Sequence, residues 1–133
     1  MATLLEAKSL TKHYGQTIAL DSVDFVVQDG ITGLLGPNGA GKSTAIKLFL
    51  RLLKPTSGSA EVLGELPYES LGIRARLGYM PEHGCLPTSI TASEFLTHMA
   101  QVSGIPPSQA RTRAADILRH VGLEEERYRP IGQ

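Results

Sequence analysis

The chain has 133 residues, 41% of them hydrophobic and 20% charged, enough for one domain with a core but not for two. Thirteen Lys and Arg balance thirteen Asp and Glu, which argues against a basic nucleic-acid surface and against an acidic solvating tail. The single cysteine, Cys85, excludes an internal disulfide framework, and the opening MATLLEAKSL lacks the basic-then-apolar pattern of a secretion signal, so the compartment is read as cytosolic. Residues 4–10 (LLEAKSL) and 17–27 (TIALDSVDFVV) alternate partially, with Val23, Phe25 and Val27 set against Asp24 and Gln28, and are predicted as half-buried strands. Asp29-Gly30 marks a turn, and Ile31 to Leu35, short and apolar on both faces, is predicted as a buried central strand. Beyond the glycine-rich run at 36–44, Ala45, Ile46, Leu48, Phe49, Leu52 and Leu53 recur at helical spacing, which predicts about three helical turns ending before Lys54-Pro55. The apolar run AIKLFLRLL in this helix is broken by Lys47 and Arg51 and is too short to cross a bilayer, so membrane association would require a partner.

Downstream, PTSG at 55–58 reads as a turn, SAEVLG as a short strand, and Leu77 to Met80 as another strand ending at Pro81. Thr91 and Glu94 form a capping-box pair ahead of a helix over 92–102, with Gly104 as its stop. After the Ile105-Pro106-Pro107 break, Ala110, Ala114, Ile117, Leu118 and Val121 share one helical face, Arg111, Arg113 and Arg119 lie off it, and Gly122 closes the helix. The chain thus divides into a strand-rich part, 1–84, and a helical part, 85–133.

The stretch GPNGAGKST holds Gly36-x-x-x-x-Gly41-Lys42-Ser43 between a predicted strand and an amphipathic helix, the context of a phosphate-binding P-loop. Glycines allow successive N–H groups to turn inward as an anion nest, and the helix N-terminus adds its partial positive charge at the same point. Gly36, Pro37, Asn38, Gly39, Ala40, Gly41, Lys42, Ser43 and Thr44 are therefore the candidate nucleotide-binding residues. Lys42 is the charge for the outer phosphates, the Ser43 hydroxyl is a ligand for Mg²⁺, and Thr44 contributes through its backbone N–H. The competing reading, a glycine-rich turn with an incidental lysine at a helix start, does not explain the strand-loop-helix context.

Beyond the loop, the run resembles the ATP-binding subunit of ABC transporters. LTKHYGQTIALDSVDF places Tyr14 where that family has an adenine-stacking aromatic, and KPTSGSAEVLG through RLGYMPE is similar to its segment joining two lobes. The resemblance implies an α/β fold: a partial P-loop NTPase domain of the ABC type, with an N-terminal antiparallel β portion, a P-loop strand-helix core and the start of a helical subdomain. Tyr14 has a plainer reading as a half-exposed packing residue, and with the P-loop present the ring is assigned to base stacking. Glu82 stands where the family carries a glutamine that touches Mg²⁺ and the attacking water. An ionised carboxylate accepts hydrogen bonds but cannot donate them, so Glu82 is carried over as a catalytic and Mg²⁺-contacting candidate acting through the metal. Glu82, His83 and Cys85 match no closed zinc pattern. His13, His98 and His120 read as solvated or packed, and the three arginines as the wet face of a helix.

The resemblance implies ATP and Mg²⁺ as ligands, a membrane-spanning transporter subunit and a second ATP-binding subunit as partners, no nucleic acid, and a position on the cytoplasmic face of the membrane held through that partner. The family's acidic strand end and its LSGGQ-like signature are not found after Lys42: Asp116 falls inside a helix and Glu124 to Glu126 in a polar turn. The 133 residues are expected to be part of a longer protein, cut before the signature and without turnover alone. A soluble ABC-type ATPase acting on DNA, chromosomes or ribosomes, and an inert truncated fragment, are the alternatives.

Overall fold

Two long strands open the structure, β1 (Thr3–Tyr14) and β2 (Thr17–Gln28), joined at Gly15-Gln16 into an antiparallel hairpin. A third strand, β3 (Ser57–Val62), pairs antiparallel with the other edge of β1, giving the order β2-β1-β3. The computed structural model describes residues 2–82, 84 and 86–133, apart from the Leu71 side chain. His83 and Cys85, considered above as metal ligands, lie outside the described residues. Compact packing separates two units, Met1–Met80 and Pro81–Gln133.

In the first unit the strands are interrupted by bulges, and the polar groups freed there find partners. Ser9 and Ser22 take left-handed φ values of 45° and 48°. The Ser9 N–H donates to Asp24 Oδ1 at 2.7 Å, and the Ser22 N–H to Thr11 Oγ1 at 2.9 Å. One face of the sheet carries Ala7, Leu10, Leu20, Ala60 and Val62 against helix α1 (Lys42–Phe49), whose Ala45, Leu48 and Phe49 are buried. The rings of Phe25 and Phe49 meet edge to face, 5.7 Å between centroids. Ile73, on the short helix α2 (Leu71–Arg74), completes this core.

The alternation of Val23, Phe25 and Val27 is expressed as half-buried residues, with Val23 and Phe25 packed against the core. The three-turn helix is not. Helix α1 ends at Phe49, because Arg51 adopts φ 59° and the N–H groups of Arg51 and Leu52 turn back to the carbonyls of Leu48 and Lys47 at 3.1 and 2.9 Å. That reversal folds Leu53 back against the core, so an apolar period that looks helical is in fact a helix followed by a turn. Ile31 to Leu35 is a larger correction. Among the described residues the segment joins no strand, Leu35 is 93% exposed, and Ile31 is fully exposed. A strand apolar on both faces needs ladder partners and layers on each side, and among the described residues the three antiparallel strands offer it neither. Leu77 to Met80 likewise forms no strand, with Met80 exposed.

In the second unit, α3 (Ala92–Val102) and α4 (Pro107–His120) stand where the sequence predicts them. Gly104 and Gly122, at φ 91° and 76°, terminate them. Ala110, Ala114 and Leu118 are buried along α4, whereas Ile117 and Val121, predicted on the same buried face, are exposed. The last residues strap across the start of α3: Ser93 N–H donates to the Arg127 carbonyl at 3.0 Å, and Ile131 N–H to the Ile90 carbonyl at 3.0 Å.

Candidate functional site

The glycine loop is held against β2 at its C-terminal end. Gly41, at φ 87°, lies so close to the strand that a Cβ there would stand 2.4 Å from the Ala19 carbonyl oxygen and 2.7 Å from Leu20 Cδ2. Only glycine fits both the space and the left-handed conformation. Gly39 is also left-handed, at φ 85°, and the Ala40 N–H donates to the Pro37 carbonyl at 3.2 Å, closing the turn through Asn38 and Gly39. Residues 36–40 are exposed throughout.

Helix α1 starts directly from Gly41, its first hydrogen bond running from the Ala45 N–H to the Gly41 carbonyl at 2.9 Å. No side chain caps this N-terminus and no acidic residue occupies its first turn. The positive end of the helix is therefore uncompensated within its own turn. Lys42 adds a full charge: its Nζ donates to the carbonyls of Gly36 and Pro37, at 2.5 and 2.8 Å, drawing the two ends of the loop together. Ser43 is exposed and Thr44 half-buried beside it. This arrangement offers donors and positive charge and no carboxylate, the chemistry of a phosphate site.

Of the side-chain oxygens in residues 36–44, on Asn38, Ser43 and Thr44, the exposed Ser43 hydroxyl directly after Lys42 is the candidate ligand for Mg²⁺. Among the described residues no cluster of three His, Cys, Asp or Glu side chains could hold a metal. The donor set fits an ion carried mainly by phosphate oxygens and water, with one protein ligand, as Mg²⁺ commonly is.

Tyr14 ends β1 and pairs with Thr17, two residues along β2 from the Ala19 that backs Gly41, or about 7 Å of strand. The structure thus sets Tyr14 and the loop along the same strand, β2, with Tyr14 46% exposed. Sequence reading missed its neighbour Lys12, whose Nζ stands 5.3 Å from the Tyr14 ring centroid and donates to the Lys54 carbonyl at 2.8 Å. The signal was available, since positions two apart on a strand share a face. Glu82 falls in the second unit, in an exposed irregular segment.

The sequence profile described as ABC transporter matches residues 20–133. The chain belongs to the ABC transporter family. Its similarity to members of that family extends across the matched length: 36% identity over 130 residues with the uncharacterized ABC transporter ATP-binding protein YxlF of Bacillus subtilis, covering 97% of this chain and 43% of the relative. It is 49% identical over 124 residues to the "Probable multidrug ABC transporter ATP-binding protein YbhF" of Escherichia coli, covering 92% of this chain and 22% of that one. Among solved structures, an ATP-binding subunit of an ABC transporter superposes with a TM-score of 0.78 at 33% identity, over 95% of this chain and 53% of the other. The chain therefore spans less than half the length of these curated relatives. It carries an α/β P-loop fold, part of an ABC-type ATP-binding domain, as the sequence reading expected. Among the described residues no helix is long and apolar enough to cross a membrane.

Proposed function

We propose that residues 36–44 bind the phosphates of ATP with Mg²⁺, and that the intact protein is the ATP-binding subunit of a transporter, coupling hydrolysis to movement of a substrate through a separate membrane-spanning subunit. Gly36 to Gly41 contribute backbone donors, Lys42 neutralises the outer phosphates, Ser43 ligates Mg²⁺, Thr44 donates its N–H, and Tyr14 stacks on the adenine. Glu82 contacts the metal side of the site when the domain is complete. A second ATP-binding subunit completes the dimer, residues 85–133 supply a docking surface for the membrane-spanning chain, and the assembly sits on the cytoplasmic face. The observation that supports this reading best is the uncapped N-terminus of α1, with Lys42 Nζ already seated among the loop carbonyls. Balanced charge speaks against the alternative of a soluble ATPase on nucleic acid.

Titration calorimetry with Mg-ATP tests it. Saturable binding is expected, weakened about 10- to 100-fold by Lys42→Ala through loss of a charge-assisted contact. No binding, or binding indifferent to Lys42→Ala, overturns the reading. The 133 residues alone should bind without steady-state turnover, since they lack an acidic strand end to position a water. Sustained phosphate release that Lys42→Ala abolishes would disprove this second statement.

A further inference from the structure

Lys12 is tied to three places at once. Its backbone belongs to β1, its Nζ donates to the Lys54 carbonyl at 2.8 Å, and the same ammonium lies over the Tyr14 ring at 5.3 Å from the centroid. The turn it reaches is itself pinned to β1. The Thr56 N–H donates to the Thr11 carbonyl at 2.8 Å, and the His13 N–H donates to Thr56 Oγ1 at 3.0 Å. The 54–56 turn is thus a fixed anchor, and Lys12 stretched between that anchor and the ring cannot swing freely. Tyr14, beside the two-residue turn of the hairpin and 46% exposed, has one side open to solvent, and a contact that fixes its rotamer removes freedom that side would otherwise allow.

We infer that Lys12 is a positioning residue for nucleobase recognition: its ammonium covers one face of Tyr14, fixes the ring's orientation, and leaves the opposite face as the stacking platform. The inference rests on the assignment of Tyr14 to the base. A ring held in its bound orientation loses less rotamer freedom when the base arrives, and the cation adds a favourable charge beside the stack. The effect should be confined to ligands that carry a base, because the polar contacts of the Lys12 ammonium among the described residues are with the Tyr14 ring and the Lys54 carbonyl.

The test compares the affinities of the full chain for Mg-ATP and for inorganic tripolyphosphate with Mg²⁺, in wild type, Lys12→Met, Lys12→Arg and Tyr14→Ala. Lys12→Met keeps the apolar stem and removes the cation. It is expected to weaken ATP about two- to fivefold, leave tripolyphosphate unchanged, and be rescued by Lys12→Arg, which restores a cation over the ring. Unchanged tripolyphosphate binding also reports that the variant is folded at the loop. If Tyr14→Ala weakens ATP while Lys12→Met does not, the positioning role is wrong and the stacking role stands. A loss shared equally by ATP and tripolyphosphate in Lys12→Met would make Lys12 merely structural and overturn the inference. Should Tyr14→Ala leave ATP affinity intact, the stacking role fails and the inference falls with it.

Discussion

Gly41 and the Ala19 carbonyl are in such close apposition that a Cβ at position 41 would lie 2.4 Å from the oxygen. The contact joins the end of the glycine loop to β2 near its start, and it sets where α1 begins relative to the sheet. Gly41→Ala adds this clash to a φ of 87° that an alanine disfavours. A destabilisation of about 1–3 kcal/mol is expected, together with a loss of ATP affinity, because the loop must shift to relieve it. Urea denaturation and nucleotide titration of the same variant check both. A variant as stable and as tight-binding as wild type would mean that this apposition does not shape the loop.

Ser43 makes a different prediction. The residue is exposed in the first turn of α1, directly after Lys42, whereas the other hydroxyl there, on Thr44, belongs to a half-buried residue. Ser43→Ala should therefore reduce the part of ATP affinity that depends on Mg²⁺ and spare binding measured in excess chelator. Titrations with and without Mg²⁺ separate the two, and an equal loss under both conditions would argue for a structural role instead.

The capping box at the head of α3 gives a pH dependence. The Thr91 N–H and hydroxyl both donate to Glu94 Oε2, at 2.8 and 2.9 Å, while the Glu94 N–H donates to Thr91 Oγ1 at 3.1 Å. Those donations, the backbone one foremost, hold the Glu94 carboxyl below the ordinary value of 4.5. A carboxylate whose folded pKa is depressed stabilises fully above its unfolded pKa, and that stabilisation is lost as pH falls through the folded one. Thr91→Ala should cost about 1 kcal/mol at neutral pH, and the difference from wild type should shrink on acidification below the ordinary glutamate range. Denaturation curves across that window, followed by circular dichroism, decide it.

Exposed apolar surface predicts self-association. Ile31 and Leu35 stand in solvent on a segment that joins no strand among the described residues, and Leu34 beside them is half-exposed along an apolar hollow shared with Phe25, Val27, Ile46 and Phe49. Unpaired backbone with apolar side chains is a template for pairing with another chain. Sedimentation velocity of the purified chain should show concentration-dependent assembly, and Leu35→Lys should suppress it. A monomer at high concentration would contradict this account.

Local chemistry in the sequence was enough to place the hairpin strands, the capping box of α3, the glycine terminators of α3 and α4, and the nine-residue loop with its lysine. Each of these depends on residues within a few positions of one another, where backbone sterics and short-range hydrogen bonds dominate. Burial was beyond its reach. Ile31 to Leu35 has the composition of a central strand and lies exposed, because burial is a property of what packs alongside and not of the segment itself. The early end of α1 at Arg51, the seating of Gly41 on Ala19 and the placement of Lys12 over Tyr14 were likewise decided only in three dimensions, through contacts between residues distant in the chain or by a turn that a helical period disguises.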